Sequence, residues 1–378
     1  MKASRKIRVG VDMHVVDGKY QGSRSYLIGL YSELISQCPD IQFVFLLDRV
    51  DILASMAEFN RPNVVFHRMQ KANSIWRIFI QLPLLQLRLG LDLLHTQYIA
   101  PPLPRKGHVV TIHDVLFEEY PQFFSKFFVL RSRWLMRRAA QRADILLTVS
   151  EYSRRQISRC YGRRESDISV TLNAADIGKY HPGQDGSETL AKRGLVSGAY
   201  ILTVGRIEPR KNHATLLRAW KKLPGTPPPL VIVGQRDFGF SEFDAEVQEI
   251  PPDRELFILS DVDDKELPIL YRHAMLFVYP SLAEGFGMPP LEAMASGVAV
   301  LSSSTTAIPE VLGNAGVVVD PRDADALSAA LAGLIAEPER RAALAAAGLA
   351  RAQAFSWKSS AAILGGCLRA WFRRREAR

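Results

Sequence analysis

Two glutamates, Glu284 and Glu292, lie on either side of a glycine-containing turn in the second half of the chain. The turn follows an apolar run, 274–280, that is typical of a buried parallel strand, and it precedes two prolines that suit the first turn of a helix. Gly285 and Gly287 allow a tight bend and the close approach of a ligand. When a helix begins directly after a strand and a glycine turn, its first amide groups and the positive end of its dipole point at one place beyond the strand. This arrangement predicts an anion site.

Carboxylates beside an anion are repelled unless they contact another part of the ligand. Acidic residues at such sites accept hydrogen bonds from ribose hydroxyls, and a molecule with hydroxyl-bearing rings on both sides of a diphosphate is a nucleotide sugar. Glu284 and Glu292 therefore favour a nucleotide-sugar site. The alternative is that Glu284 is an ordinary loop carboxylate and that Glu292 is a solvated residue of the first helical turn, where it stabilises the helix dipole.

Two basic residues, Arg206 and Lys211, flank the turn between a predicted strand, 200–204, and a predicted helix that begins at His213. We predict that Asn212 is the N-cap of this helix. Both cations and the helix dipole would then converge on one dianionic group. A solvated basic loop is the alternative.

A histidine, His113, closes a predicted strand of the first half and is followed at once by Asp114. Open α/β sheets bind ligands at the carboxyl ends of their strands, where a histidine can donate or accept a hydrogen bond near neutral pH. A purely structural histidine is the alternative. The glycines that follow the first predicted strand, Gly18 and Gly22, do not form the G-x-G-x-x-G fingerprint, which argues against a nicotinamide-dependent oxidoreductase.

Short apolar runs alternate with helix-length segments in both halves, which predicts two doubly wound α/β domains. With 378 residues the chain is too long for one ordinary core. A polar, glycine-bearing segment, 179–187, is the predicted linker. The predicted strands are 7–11, 43–47, 64–67, 91–95, 109–113, 145–150 and 169–172 in the first half, and 200–204, 230–233, 256–259, 274–280, 298–302 and 316–319 in the second.

The composition is that of a globular protein, with 47% hydrophobic and 23% charged residues. A net charge of +9 predicts an acidic partner, which is nucleic acid, anionic lipid or a phosphorylated substrate. Three cysteines lie far apart without C-x-x-C spacing, which argues against a zinc site and fits a reducing compartment. No secretory h-region and no run of about 20 apolar residues is found, so we expect a soluble or surface-bound cytoplasmic protein.

Three segments combine basic and apolar side chains: 71–88, 126–142 and 369–378. Tryptophan, phenylalanine and leucine beside arginine and lysine are typical of helices that lie in a membrane interface, and the cations favour anionic lipid. Ordinary core-facing helices with solvated charges are the alternative. We expect no nucleic-acid partner, because no recognised nucleic-acid module is present.

Three motifs of the second half carry a resemblance to a known family. They are TVGRIEPRKN (203–212), YPSLAEGFGMPPLEAMASGVAVLSS (279–303) and IPEV (308–311). They resemble the retaining glycosyltransferases known as group 1 or family 4, whose GT-B fold has two Rossmann-like, doubly wound α/β domains facing a central cleft. The spacing of Glu284 and Glu292, Glu-x7-Glu, is similar to that family's signature.

Two motifs of the first half resemble the mannosyltransferase-like branch of this family, which acts in bacterial surface polysaccharide synthesis, including lipopolysaccharide. These are TIHDVLFEEYPQFFS (111–125) and VSEYSRRQI (149–157). The segment Asn-Ala-Ala-Asp at 173–176 departs from the commoner Asn-Gly-Val-Asp, which weakens the assignment to the branch but not to the family.

The resemblance implies a role for each candidate site residue. Arg206 and Lys211 would hold the donor diphosphate and stabilise the leaving charge. Glu284 would bind hydroxyls of the transferred sugar, and Glu292 would bind the ribose. Backbone amides would reach the sugar and phosphates from three further residues, which are Phe286, Gly287 and Met288.

Further implied contacts come from loops of both halves. His113 would approach the sugar from the acceptor side, and Gly22 would keep its loop close to the phosphates. The base would lie near 260–263, which includes Ser260 and Val262. No metal ion or other cofactor is expected.

The implied enzyme is a retaining hexosyltransferase that moves mannose from GDP-mannose, or next a sugar from a UDP-sugar, to a glycan or polyprenyl-linked acceptor. We expect it on the inner face of the cytoplasmic membrane. The expected domains are 1–178 for the acceptor, 190–355 for the donor, and 356–378 as a helix and basic tail that packs back towards the first domain. The alternatives are a non-hydrolysing sugar-nucleotide epimerase and a non-catalytic, membrane-associated subunit of the same fold.

Overall fold

A computed structural model describes residues 6–18, 22–102 and 107–377 of the chain. All thirteen predicted strands occur in these ranges, with bounds that differ from the predicted ones by up to two residues. The first part of the chain contains β1 (Ile7–Asp12), α1 (Gly22–Gln37), β2 (Ile41–Leu47), α2 (Val50–Ala54), β3 (Val64–Arg68), α3 (Ser74–Trp76), α4 (Leu82–Arg88), β4 (Leu93–Gln97), β5 (His108–Thr111), α5 (Leu116–Glu119), α6 (Lys126–Arg142), β6 (Ile145–Thr148), α7 (Glu151–Tyr161) and β7 (Ile168–Val170).

The second part continues the alternation of helices and strands. It contains α8 (Ser187–Lys192), β8 (Ile201–Val204), α9 (His213–Lys221), β9 (Leu230–Val233), α10 (Ser241–Gln248), β10 (Leu256–Leu259), α11 (Glu266–Arg272), β11 (Leu276–Tyr279), α12 (Met288–Ala295), β12 (Val300–Ser303), α13 (Ile308–Leu312), β13 (Val317–Val319), α14 (Ala324–Ala336), α15 (Pro338–Ala352) and α16 (Trp357–Glu376). No helix of the described ranges combines the length and the apolar character that crossing a membrane requires.

The chain divides into two compact units. The first unit is Met1–Asn173 together with Ser356–Arg378, and the second unit is Ala174–Phe355. The first has a seven-stranded sheet in the order β3-β2-β1-β4-β5-β6-β7, and the second has a six-stranded sheet in the order β10-β9-β8-β11-β12-β13. Every pair of neighbouring strands is parallel. Each unit is therefore doubly wound, as the sequence predicts.

The central strands are apolar because helices cover both faces of a parallel sheet. Every residue of β5 and β6 is buried in the first unit, and every residue of β9 and β11 is buried in the second. Trp220 of α9 is fully buried in the core of the second unit, where its indole N–H donates to the Pro228 carbonyl at 3.0 Å. This packing fixes the strand ends, and the strand ends position the site.

The last helix, α16, packs on α1 within the first unit. The contact is close at Gly29, where an added Cβ would lie 2.3 Å from the ring of Trp357. Only glycine fits there without a shift. Ser360 donates to the Leu172 carbonyl at 2.7 Å and further ties this helix to the end of the first unit.

In both sheets the strand order reverses between two central strands. The reversal lies between β1 and β4 in the first unit and between β8 and β11 in the second. Open α/β sheets bind ligands outside the carboxyl ends of the strands at such a topological switch point. The two switch points are therefore the first places to look for a site.

Candidate functional site

The switch point of the second unit brings two distant motifs together. The β8 strand leads into the segment that carries Lys211, and β11 leads into the turn that carries Glu284. The two strands are direct neighbours, with Ile201 paired to Leu276 and Leu202 to Phe277. The residues that follow both strands therefore meet at one edge of the sheet.

The centre of this site is an ion pair between Lys211 and Glu284. Lys211 Nζ lies 2.7 Å from Glu284 Oε1 and also donates to the hydroxyl of Tyr279 at 2.6 Å. The same carboxylate oxygen accepts from Tyr279 at 2.8 Å and from Ser281 at 2.6 Å. Glu284 is buried, so this network holds its carboxylate in one orientation.

A second cation, Arg210, shares this carboxylate, and the sequence reasoning missed it. Its Nη1 lies 3.0 Å from Glu284 Oε1 and donates to the Ala283 carbonyl at 2.7 Å, while its Nη2 donates to Glu208 Oε1 at 2.6 Å. In the sequence, the position of Arg210 next to Lys211 in the same basic turn is the feature that indicates a second cation at the site. Sequence alone does not show which of the neighbouring cations points at the site.

The charges at this centre are those of an ionised pair. Burial alone would raise the pKa of Glu284, but Arg210 and Lys211 lower it to about 2. Burial also lowers the pKa of Lys211, against the opposing effect of Glu284. The carboxylate therefore accepts hydrogen bonds at neutral pH, and an ionised acceptor of this kind suits sugar hydroxyls.

The turn after Glu284 leads directly into α12. Gly287 has a φ of +116°, and an added Cβ there would lie 2.7 Å from Ile308 Cδ1, so the position requires glycine. Met288 is the first residue of the helix, and prolines occupy its first turn as predicted. Phe286 is buried and packs edge-on against Phe355. Gly287 has no side chain to cap this helix, and Pro289 and Pro290 have no amide hydrogen, so the amide N–H groups at the helix start are those of Gly287 and Met288.

The second glutamate, Glu292, is a partly buried residue of α12. Its Oε2 accepts a hydrogen bond from the hydroxyl of Tyr271 at 3.0 Å. Burial raises the pKa of Glu292 to about 7, although Tyr271 and Tyr180 counteract part of this shift. Glu292 is partly buried and hydrogen-bonded to Tyr271, which does not fit the alternative of a fully solvated helix residue.

The structure does not bring Arg206 and Lys211 to a common atom. Arg206 is about half exposed, and its Nη1 forms an ion pair with Asp237 Oδ2 at 2.7 Å. An isolated bridge between Ile207 and Arg236 sets the loops after β8 and β9 side by side, which brings Asp237 to Arg206. Each predicted cation thus has a carboxylate partner of its own.

Asn212 occupies the N-cap position of α9, as predicted, but it does not make the side-chain hydrogen bond expected of a capping asparagine. This residue adopts a left-handed conformation with φ 60°, and its side chain makes no capping hydrogen bond to the helix. Its amide group instead donates to the carbonyls of Pro280 and Pro321 at 3.0 and 2.6 Å. Asn212 therefore ties the Lys211 turn to the end of β11, a tertiary role that competes with capping.

Ser260 and Val262 follow β10, at the edge of the second sheet. Ser260 is exposed and Val262 is partly buried. Because β10 lies three strands from β11, this loop is about 14 Å from the Glu284 turn across the sheet. It is not part of the ion-pair network.

His113 and Gly22 belong to the first unit. His113 is buried, its Nε2 donates to Gln97 Oε1 at 3.0 Å, and its ring contacts Tyr26 edge-on. Burial lowers the pKa of His113 to about 4, so it is a neutral hydrogen-bonding group at pH 7. Gly22 is the exposed first residue of α1, and an added Cβ there would meet nothing within 4 Å. Among the described residues there is no group of three His, Cys, Asp or Glu side chains that suits a metal ion.

Comparison with known families gives two matches that together span most of the chain. Residues 189–351 match the family described as Glycosyl transferases group 1. Residues 22–179 match the family described as Glycosyltransferase Family 4. The first match contains Lys211, Glu284 and Glu292, and the second contains His113.

Two curated relatives are mannosyltransferases by name. The chain is 36% identical over 256 residues to an O-antigen chain mannosyltransferase B of Escherichia coli, a match that covers 66% of this chain and 67% of the relative. It is 28% identical over 260 residues to a GDP-mannose-dependent alpha-(1-6)-phosphatidylinositol monomannoside mannosyltransferase of Mycolicibacterium smegmatis, covering 65% of this chain and 67% of the relative. The matched region thus spans about two thirds of each relative.

A solved structure shares the fold over nearly the whole chain. It is a sucrose-phosphate synthase from Thermosynechococcus elongatus, with a TM-score of 0.75 and 20% sequence identity. The match covers 97% of this chain and 100% of that one. At this identity the likeness establishes the fold alone.

Proposed function

Because the chain belongs to the group 1 and family 4 glycosyltransferases of the GT-B fold, we propose that it transfers mannose from GDP-mannose with retention of configuration. The acceptor is a glycan or a lipid-linked oligosaccharide of cell-surface polysaccharide synthesis. A UDP-sugar is the second candidate donor. The observation that carries the proposal is the buried pair of Lys211 and Glu284 at the switch point of the second sheet.

Hydrogen-bonding capacity supports a donor at this pair. The ammonium group of Lys211 has three protons, and two of them are directed at Tyr279 and Glu284. The third is available to a phosphate oxygen. The start of α12 adds the amide groups of Gly287 and Met288 and a positive dipole end for the same diphosphate.

The other donor contacts follow from the positions of the remaining side chains. Glu284 accepts hydrogen bonds from hydroxyl groups of the mannose, and Glu292 accepts hydrogen bonds from the ribose hydroxyls. Arg206 binds the diphosphate by exchanging its exposed partner Asp237 for phosphate. Ser260 and Val262 contact the base, because a nucleoside is long enough to reach across the sheet from the diphosphate.

The names of the relatives support the donor. The Escherichia coli relative is named a mannosyltransferase, and the Mycolicibacterium smegmatis relative is named GDP-mannose-dependent. The acceptors in these names are an O-antigen chain and a phosphatidylinositol monomannoside. The first of these acceptors is an antigen chain and the second is a mannoside of phosphatidylinositol, which favours a glycan or lipid-linked acceptor here.

The chemical step requires stabilisation of the negative charge that develops on the leaving GDP. Preorganised cations and amide groups do this without rearrangement, and the loss of one such donor typically reduces the rate about 100- to 1,000-fold. In the proposed mechanism the leaving phosphate takes the proton of the acceptor hydroxyl on the same face of the sugar. Attack from that face gives retention, and the proposal includes no metal ion.

The test is an assay with GDP-mannose or UDP-glucose in the presence of a chelator, with lipid-linked oligosaccharides as acceptors. Transfer of mannose with an unchanged anomeric configuration, read by NMR of the product, supports the proposal. Isomerisation of the nucleotide sugar without an acceptor would instead establish an epimerase. Nucleotide-sugar binding without any turnover would indicate a non-catalytic subunit.

The partner surface of the proposed enzyme is an anionic membrane, and its location is the inner face of the cytoplasmic membrane. The exposed side chains on one face of α6 support this location. They are Phe127, Leu130 and Trp134, which are 74%, 69% and 60% exposed. Arg131 and Arg138 lie against the aromatic rings of this face. Apolar side chains flanked by arginines suit a helix that lies in a lipid interface.

Flotation with lipid vesicles tests this association. Vesicles of phosphatidylglycerol should carry the protein, vesicles of phosphatidylcholine should carry less, and added salt should weaken the binding. Trp134→Ala should reduce it, whereas Val196→Ala, which removes an exposed apolar side chain of the second unit, should not. Equal, salt-insensitive binding to both vesicle types would contradict the electrostatic part of the proposal.

A further inference from the structure

The first unit has a switch point of its own, and three charged or polar residues assemble beside it. The β1 strand ends at Asp12, and His14 follows in a short 3-10 turn. The neighbouring strand across the switch is β4, which ends at Gln97. A third side chain, Arg77, comes from the segment between α3 and α4.

Asp12 holds both of the other residues. Its Oδ1 lies 3.1 Å from Nδ1 of His14, and its Oδ2 lies 3.3 Å from Nε of Arg77. The carboxylate is almost fully buried, with 3% of its side chain exposed, while the side chains of Arg77 and His14 are 13% and 30% exposed. Asp12 is therefore the support, and Arg77 and His14 are the groups that a ligand can reach.

Arg77 differs from its neighbours in the segment 71–88. Trp76, Leu84 and Leu87 are exposed, as a helix in a lipid interface requires, but Arg77 is turned towards the end of β1. It begins a π-helical turn, Arg77–Gln81. Such turns are rare and occur often at functional sites, because the wider turn re-aims the side chains.

The charges of this group nearly cancel. Burial would raise the pKa of Asp12, but His14 and Arg77 together lower it, so the carboxylate is ionised at neutral pH. Among the described residues, Asp12 is the ion-pair partner of Arg77, and the pair has no net charge. A site with hydrogen-bond donors and little net charge favours neutral hydroxyl groups over a phosphate, which needs uncompensated cations.

We infer that Arg77 and His14, both oriented by Asp12, bind the hydroxyl groups of a neutral sugar, the terminal residue of the acceptor glycan. The remaining guanidinium N–H groups of Arg77 form a planar fork that matches two adjacent hydroxyl oxygens. The second ring nitrogen of His14 provides a third contact. This inference rests on the proposed function, since it assigns the acceptor of that reaction to the switch point of the first sheet.

Saturation-transfer NMR with methyl α-D-mannopyranoside tests the inference directly. The wild-type protein should transfer saturation to the mannoside, and Arg88→Ala, which removes an exposed cation of the same segment, should do so equally. Arg77→Lys keeps the charge and the ion pair with Asp12 but loses the fork. It should weaken binding about tenfold or more, the effect of one lost charge-assisted hydrogen bond.

Steady-state kinetics add a readout that a structural defect would not produce. In Arg77→Lys the KM for a mannoside-terminated acceptor should rise about tenfold, while the KM for GDP-mannose stays unchanged. Three results would overturn the inference: no saturation transfer with wild-type protein, equal transfer with Arg77→Lys, or displacement of the mannoside by equimolar inorganic phosphate.

Measuring GDP-mannose binding in the same samples separates this inference from the proposed function. If the wild type binds GDP-mannose but not the mannoside, the acceptor site is wrong and the proposed function stands. If it binds the mannoside but not GDP-mannose, the proposed function fails while the sugar site remains.

Discussion

The two switch points of this molecule are built alike in backbone and differently in side chains. At β8 and β11 the functional groups come from two short segments, 206–212 and 279–292, that each follow a central strand. At β1 and β4 they come from positions scattered along the chain, with Asp12 and Arg77 separated by more than sixty residues. The same topology therefore supports one site whose segments are recognisable in the sequence and one site that is recognisable only in the fold.

The hydrogen-bond donors of the two switch points differ as well. In the second unit Lys211 and Arg210 are balanced by the carboxylates of Glu284 and Glu208, and the start of α12 adds amide groups and a positive dipole end. In the first unit a single arginine is matched by a single aspartate, and the site is built from side chains. The helix start of the second unit thus suits the anionic donor, and the first unit suits a neutral sugar.

The largest expected effect in the second unit comes from Lys211→Ala. Loss of this preorganised cation should lower kcat about 100- to 1,000-fold with GDP-mannose as donor. Lys222→Ala is the matched control, because Lys222 is half exposed and pairs with Asp325 away from the switch point. Steady-state kinetics provide the measurement, and full activity of Lys211→Ala would show that the diphosphate is bound elsewhere.

Next in size is the effect of Arg210→Ala on stability. Its removal leaves Glu284 buried with one cation instead of two and frees the carboxylate of Glu208. The free energy of unfolding should fall by about 1.5 to 3 kcal/mol, the value of a hydrogen bond to a charged group. Urea denaturation measures this, with Arg206→Ala as the comparison, since the exposed pair of Arg206 and Asp237 should contribute less than about 1 kcal/mol.

These two substitutions separate what the sequence predicts from what it does not. The thirteen strands and the glycine turn follow from local pattern, because strand, turn and helix signals are short-range, and the same motifs mark Lys211 and Glu284 as site residues. The ion pair between Lys211 and Glu284 forms because β8 and β11 are neighbours, which no local signal shows. The role of Arg210, the partner of Arg206 and the conformation of Asn212 depend on neighbours from other strands. The sequence predicts Arg77 as part of a basic interface helix, because no local signal shows that it turns towards Asp12.

A smaller effect is expected from pH through Glu292. Its pKa of about 7 in the ligand-free protein means that about half of the molecules carry it protonated at pH 7. Ribose hydroxyls donate best to the ionised form, so binding of GDP-mannose should strengthen as pH rises through 7. By proton linkage the dissociation constant should be about tenfold higher at pH 6 than at pH 8.

Isothermal titration calorimetry across this range measures the dependence. Glu292→Gln cannot ionise, so its dissociation constant should not change with pH. A wild-type protein whose affinity for GDP-mannose stays constant between pH 6 and 8 would place the ribose away from Glu292.

The smallest effect is expected from Tyr279→Phe. This change removes the hydroxyl that bridges Lys211 and Glu284 but leaves their direct contact of 2.7 Å. We expect kcat/KM for GDP-mannose to fall only about threefold to tenfold, because the direct ion pair keeps both charged groups in place after the hydroxyl is lost. A loss as large as that of Lys211→Ala would instead mean that the hydroxyl itself contacts the donor.

A thermal-unfolding titration tests directly whether the switch point of the second unit binds a nucleotide diphosphate sugar through Lys211. GDP-mannose and UDP-glucose are compared with wild-type protein and Lys211→Ala. A donor at 100 times its dissociation constant should stabilise the wild type by about 2.7 kcal/mol, seen as a raised melting temperature. GDP-mannose should produce this rise in the wild type and little of it in Lys211→Ala. An equal rise in both proteins, or no rise with either nucleotide sugar, would contradict the account.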